Sequence, residues 1–363
     1  MRSAVQPRAT EAAVSSSLEV PALSRLAALF GGAAGLAAAA AVAAGAEARP
    51  PGAGSVLALA ISPSSSATAY VGTAAGGLYR TSDGGERWEV AEGDVAGLSV
   101  SAVAIDPASP ATVYAGTNGA GVFRSSDGGK TWSLSNAGLA NLFVEALAID
   151  PSSPGGLYAA TDGGVFRSSD SGKSWQEMRE GLADPTVTAL AILPDAGLLA
   201  GTKTGGVFRA SKGSPAWVAS SGGLARAAIR GLAVGSPATV YAATESGIFK
   251  STTAGADWTP VNSGLTSISV LSIGVDPSSP SRAFACTVTG LFRTGDGGIH
   301  WSSVETGSGG SFFNSVAIDR TGATVLVGGE GSVLRSGNGG KTWKPVALPP
   351  PPPREESDED ETQ

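Results

Sequence analysis

The 363-residue chain has one cysteine, Cys286, and one histidine, His300. A disulfide within the chain is excluded by that count. So are a histidine-rich metal centre and any catalytic triad that needs a free histidine, because His300 sits inside a repeated turn. Charged residues make up only 15% of the chain, and the net charge is −7. Six acids, Glu355, Glu356, Asp358, Glu359, Asp360 and Glu361, fall with Arg354 in residues 354–363, so the remainder carries −2. A nearly neutral body without a basic stripe argues against nucleic acid as a partner. No Asn-x-Ser/Thr sequon is present.

What the sequence has is a repeat. All seven tryptophans, Trp88, Trp132, Trp175, Trp217, Trp258, Trp301 and Trp343, recur 44, 43, 42, 41, 43 and 42 residues apart. A period near 42 with strand-like segments is the size of one four-stranded propeller blade. Blade 2 shows the grammar: 103–107 reads as an inner strand, 112–117 as the second, 121–126 as the third and 131–135 as the fourth. Gly, Asn, Asp and Ser clusters mark the turns between them. The expected fold is all-β, a single seven-bladed propeller with four antiparallel strands per blade. Blades are expected at 55–98, 99–142, 143–184, 185–226, 227–267, 268–310 and 311–348. Each is built from consecutive strands, so blades 1 and 7 must close the ring by packing.

Each tryptophan ends a unit of the form Ser-x-Asp-x-Gly-x-Thr-Trp, placed between the third and fourth strands. The Asp can cap turn N–H groups, the Gly permits positive φ, and the Trp can tuck beneath the turn. Burial of the ring would contribute about 4–6 kcal/mol before entropy costs. Asp83, Asp127, Asp170 and Asp296 hold the acid position, and Asn338 holds it in blade 7. Blade 5 substitutes Thr253, and blade 4 retains only Trp217. This unit resembles the Asp box of sialidases and other Asp-box propellers, over about residues 55–348. In overall architecture the chain is most similar to single seven-bladed propellers of the photosystem II assembly-factor type, which implies an exported, non-enzymatic scaffold. Sialidases share the box but have six blades, and they need an arginine triad and a Tyr nucleophile. Here all five tyrosines are explained by the repeat. Xyloglucan-specific endoglucanases place a cleft between two such propellers, and this chain has one. The resemblance implies that the box itself is structural.

Residues 1–48 read as an export signal or membrane anchor. They comprise a polar start, an uncharged Ala/Gly/Leu run at 26–46, and Ala46-Glu47-Ala48 as an A-x-A-like site. The expectation is an exported protein of a bacterial periplasm, envelope or extracellular space, with a plastid lumen as the alternative. It touches a membrane only through 26–46, if that run is uncleaved. Residues 49–54 are a linker. Pro349–Pro353 should be a polyproline II spacer, and the acidic end of the segment 349–363 should be solvated.

Subtracting the repeat leaves the candidate site. The first links of the inner strands supply one variable residue per blade: Leu57, Ser101, Glu145, Thr188, Arg230, Leu271 and Asn314. These are expected to line one mouth of the central channel. Phe143, Phe312, Phe313, Asp162, Arg179, Glu180, Asp184, Arg226 and Glu245 lie off the repeat nearby. Phe143, Phe312 and Phe313 are candidate apolar anchors, with Glu145, Arg230 and Asn314 as the polar groups. The expected function is a monomeric, non-enzymatic binding propeller that engages a protein partner through this mouth, without metal or cofactor. The alternatives are a glycoside hydrolase using Glu145 with Asp162 or Asp184, and a glycan-binding module.

Overall fold

The computed structural model describes residues 54–351, except 195–196, 212–213, 225 and 308–311. The expected export segment, nearly all of the linker and the acidic segment lie outside the described residues. Pro51–Gln363 is one compact unit.

The described residues form seven four-stranded antiparallel sheets, each from four consecutive strands, and no helix. The inner strands are Val56–Ser62, Val100–Ile105, Val144–Ile149, Val187–Leu193, Ile229–Val234, Val270–Val275 and Ser315–Ile318. Each inner strand packs beside the next, and the last packs beside the first. The chain is therefore a seven-bladed propeller closed without a shared blade. Backbone bonds help to seal the ring: Val56 N–H donates to Gly329 O at 3.0 Å, and Gly331 N–H donates to Gly54 O at 3.0 Å.

The core lies between blades. Seven buried clusters each draw on two neighbouring sheets; one joins Tyr70 and Leu78 of blade 1 to Val113 and Phe123 of blade 2. Second strands such as Val113–Thr117 and Val240–Thr244 are buried at every position because both faces of the sheet are covered. Cys286 belongs to one such strand, is fully buried, and has its thiol pushed well up by burial.

The Asp boxes form hairpins between third and fourth strands. Asp127 Oδ1 accepts the N–H groups of Lys130 and Thr131, and Oδ2 accepts Thr131 Oγ1–H at 2.6 Å. Ser125 Oγ–H donates to Asp127 Oδ1 while the hydroxyl oxygen accepts Gly129 N–H. In blade 5, Thr253 Oγ1 accepts Asp257 N–H and preserves part of the turn. In blade 7, Asn338 Nδ2 donates to Thr342 Oγ1, which reverses the bond made at Asp127.

The tryptophans do more than sit under their own turns. Trp175, Trp217, Trp258 and Trp301 each donate Nε1–H to a carbonyl near the outer strand of the preceding blade, at 2.6–2.9 Å. Their own backbone N–H groups donate to Ala137, Glu180, Gly222 and Ser263. Each of those acceptors precedes a Gly-Leu pair, at 138–139, 181–182, 223–224 and 264–265. That second repeat lies in the links between blades.

Candidate functional site

The channel mouth is built by β-bulges. Register breaks fall at Leu57, Ser101, Glu145, Thr188, Arg230 and Leu271, the residue expected to face the channel in each of the first six blades. A bulge leaves one residue out of the ladder and re-aims its side chain. It also breaks the alternation within the strand: the inner strand of blade 2 starts at Val100, before the bulge at Ser101, and not at Val103 as the pattern suggested.

Several of these residues are consumed by the scaffold. Ser101 Oγ–H points to Gly116 O and Val144 O, and Thr188 Oγ1–H points to Gly201 O and Ile229 O, so both tie their inner strand to the next. Asn314 Nδ2 donates to Ser55 Oγ at 3.0 Å, and Ser55 Oγ–H donates to Glu330 Oε2 at 2.6 Å. Asn314 therefore serves ring closure, which corrects its assignment as a free binding group.

Glu145 and Arg230 remain at the centre of a charged cluster. Glu145 is half-buried, and burial followed by the charge of Asp162 pushes its carboxyl up, against the pull of Lys203 and Arg230. Arg230 pairs with Glu245. Asp184 is not available for chemistry. Its Oδ2 accepts Thr204 N–H, Thr204 Oγ1–H and Gly205 N–H at 2.7, 2.8 and 3.0 Å, and its Oδ1 accepts Thr186 N–H. Burial opposes its ionisation, but these bonds outweigh it and hold the carboxyl low. This removes Asp184 from the hydrolase pair and leaves Glu145 with Asp162. A carboxyl with a raised pKa beside a second carboxylate can exchange protons, which is the chemical capacity this mouth has.

The three phenylalanines separate. Phe143 is 48% exposed on the link into blade 3, beside exposed Leu142. Phe312 is half-buried. Phe313 is 3% exposed and packs with Cys286, Leu291 and Leu334 between blades 6 and 7, so it seals that interface and is not a surface anchor. The repeat filter missed a second exposed apolar pair. Ile268, 56% exposed, lies on the link into blade 6, and Val288, 45% exposed, lies on the turn between the second and third strands of that blade. Ile268 stands at the register position of Leu142, which is the signal that could have found it. The face thus carries two apolar pairs, at blades 2/3 and 5/6, with the Glu145–Arg230–Glu245 cluster on the blades between them.

The basic residues on the third strands do not converge. Arg80, Lys250 and Arg335 each donate to an Asp-box carbonyl of the following blade, Gly128, Gly297 and Gly84. They are clamps between blades. On the same side, where blade 4 has lost its box, a cleft of about 410 Å³ opens beside Asp150, Tyr158, Arg167, Met178 and Leu198.

The family model described as Photosynthesis system II assembly factor YCF48 matches residues 100–347. No curated protein matches the chain. Among solved structures, the GH74 xyloglucanase of Xanthomonas campestris is 19% identical with a TM-score of 0.67, covering 81% of this chain and 55% of that one. A structure described as YCF48 bound to D1 peptide is 18% identical with a TM-score of 0.62, covering 79% and 94%. YCF48 from Cyanidioschyzon merolae is 16% identical with a TM-score of 0.59, covering 80% and 97%. At these identities the likeness is one of fold. The chain spans about half the length of the GH74 enzymes it matches.

Proposed function

Because the chain belongs to the photosystem II assembly factor YCF48 family, we propose that it is a binding propeller that engages a protein segment through the channel mouth. The observation that carries this reading is the pair of exposed apolar patches, Leu142/Phe143 and Ile268/Val288, flanking the Glu145–Arg230–Glu245 cluster on one face. Exposed apolar anchors beside charges are the composition of an interface. A structural neighbour carries a D1 peptide, and that observation belongs to the neighbour; here it supports a peptide-like partner in general. We propose that the chain works outside the cytoplasm, as the 26–46 run suggests.

The test is a photoreactive residue placed at Phe143 in the full chain, with one at exposed Leu134 on an outer strand as control. A partner crosslinked from 143 and not from 134 should then bind the purified protein at least tenfold more weakly after Phe143→Ala with Arg230→Glu. Equal binding by that double variant would move the interface off this face. A hydrolase reading rests on the Glu145–Asp162 proximity. Turnover of a polysaccharide by the full chain, lost in Glu145→Gln, would establish it in place of the binding role.

A further inference from the structure

Blade 6 breaks the clamp pattern. Its second strand has Phe284 where blades 1, 2 and 5 have Tyr70, Tyr114 and Tyr241, whose hydroxyls donate to the next blade's box. Phe284 cannot donate. Arg282, two residues earlier, does it instead: Nη1 donates to Gly339 O at 3.1 Å, and the guanidinium is held by buried Asp276, with Nε to Oδ2 at 2.7 Å. Gly339 O is also the acceptor that the third-strand cation, Arg293, would otherwise use. Arg293 is exposed, and its guanidinium makes no hydrogen bond or ion pair among the described residues. It lines an open groove of about 440 Å³ between blades 6 and 7 with Arg282, His300 and Lys341. The nearby carboxylates are committed, Asp276 to Arg282 and Ser278, and Asp296 to its own turn and His300. The groove therefore has an excess of positive charge on a body that is otherwise close to neutral.

We propose that this groove docks the chain's own acidic segment, residues 354–363. The segment follows blade 7, one wall of the groove. The last strand, Lys344–Ala347, and the residues after it to Pro351 lead on from the groove end of the blade, so the segment must return by up to roughly 26 Å at ~3.3 Å per residue. Residues 352–363 can extend about 40 Å, which is enough. Tethering places six carboxylates beside the groove at an effective concentration on the order of millimolar, ahead of a free acidic partner.

Carbodiimide coupling of the full chain tests this. Lys341, Lys130 and Lys173 occupy the same turn position in blades 7, 2 and 3, and all three are exposed. Coupling of residues 355–361 to Lys341 should exceed coupling to Lys130 or Lys173 about tenfold. It should fall severalfold in Arg293→Gln and disappear at ~0.5 M salt, where screening is strong. Mixing isotope-labelled and unlabelled chains should give no mixed crosslinks. The His300 ring resonances, single because the chain has one histidine, should move at fixed pH when the six acids are replaced by their amides. Equal coupling at the three lysines, mixed-label crosslinks, or an unmoved His300 would each overturn the proposal.

Discussion

The indole Nε1 of Trp175 donates to the carbonyl of Ser135, in the preceding blade, at 2.6 Å. Trp88 holds the same position two blades earlier, but its Nε1 is buried with no partner among the described residues. Replacing either indole by phenyl removes similar volume, and only at Trp175 does it also strand a carbonyl. Trp175→Phe should therefore cost about 1 kcal/mol more than Trp88→Phe. Urea midpoints of the two variants measure the difference, and equal losses would show that the inter-blade bond contributes nothing.

The pins are unevenly distributed around the ring. Interfaces 2/3, 3/4, 4/5 and 5/6 each have a tryptophan bonded backwards, whereas Trp88 and Trp343 have no Nε1 partner among the described residues and Trp132 bonds its own turn. In place of that pin, interfaces 6/7, 7/1 and 1/2 have the guanidinium bonds of Arg282, Arg335 and Arg80, the last beside the Tyr70 hydroxyl, and these guanidinium bonds are more open to water. Opening should begin there. Hydrogen exchange followed by mass spectrometry should show amides of blades 7 and 1 exchanging through a lower-energy opening than those of blades 3–5. Uniform protection around the ring would refute this.

Ser171 adopts φ of 62° at the turn position where Asp boxes 1, 2, 6 and 7 have glycine. A side chain in the left-handed region carries a steric cost that glycine avoids. Its hydroxyl makes no bond needed by the turn, since Ser168 and Asp170 supply the caps. Ser171→Gly should raise stability by about 0.5–1 kcal/mol, a gain of roughly 1–2 °C in melting temperature. At the next residue the sign reverses. Gly172 has φ of 82°, and a Cβ there would stand 2.6 Å from Ser135 Oγ, so Gly172→Ala should lower it.

The architecture was legible because each blade repeats one solution to the same packing problem: Trp132, Trp175 and Trp301 announce a period before any strand is assigned. The mouth was half legible. Subtraction of the repeat found Glu145, Arg230 and Phe143, but a side chain's commitment to the backbone does not show in its identity. Asn314 and Asp184 read as free polar groups and are spent on ring closure and loop capping. Phe313 read as an anchor and is core, because a phenylalanine off the repeat register can face either way. Val288 went unseen, since a single branched apolar residue in a turn has no pattern, and Ile268 shows only through the register position it shares with Leu142. The exchange of clamps between Arg282 and Arg293 is a coupled substitution across two strands, visible only once pairing is known.

The carboxylates divide by sign in their effect on stability. Asp170 and Asp296 are held at about 2, the first chiefly by the Ser174 hydroxyl and the second by the His300 N–H; Asp83 is lowered chiefly by the Arg87 N–H. Their contribution is fully present above the unfolded value near ~4 and is lost as pH falls toward about 2. Glu145 works the other way. Burial raises its folded pKa, so the folded chain holds that proton after the unfolded chain has released it. Its contribution is present below pH ~4 and is lost as pH rises toward and through the folded value, because the unfolded chain gives up the proton first. Glu145→Gln should therefore raise the urea midpoint at about pH 7 and leave it unchanged near pH ~3.5, where both states hold the proton. An Asp170→Asn control should lose stability at neutral pH and converge on the parent in acid. A Glu145→Gln protein no more stable than the parent at neutral pH would mean that Lys203 and Arg230 already compensate the buried charge. The mouth would then be electrostatically settled, and any partner would have to be held by Phe143 and its apolar neighbours.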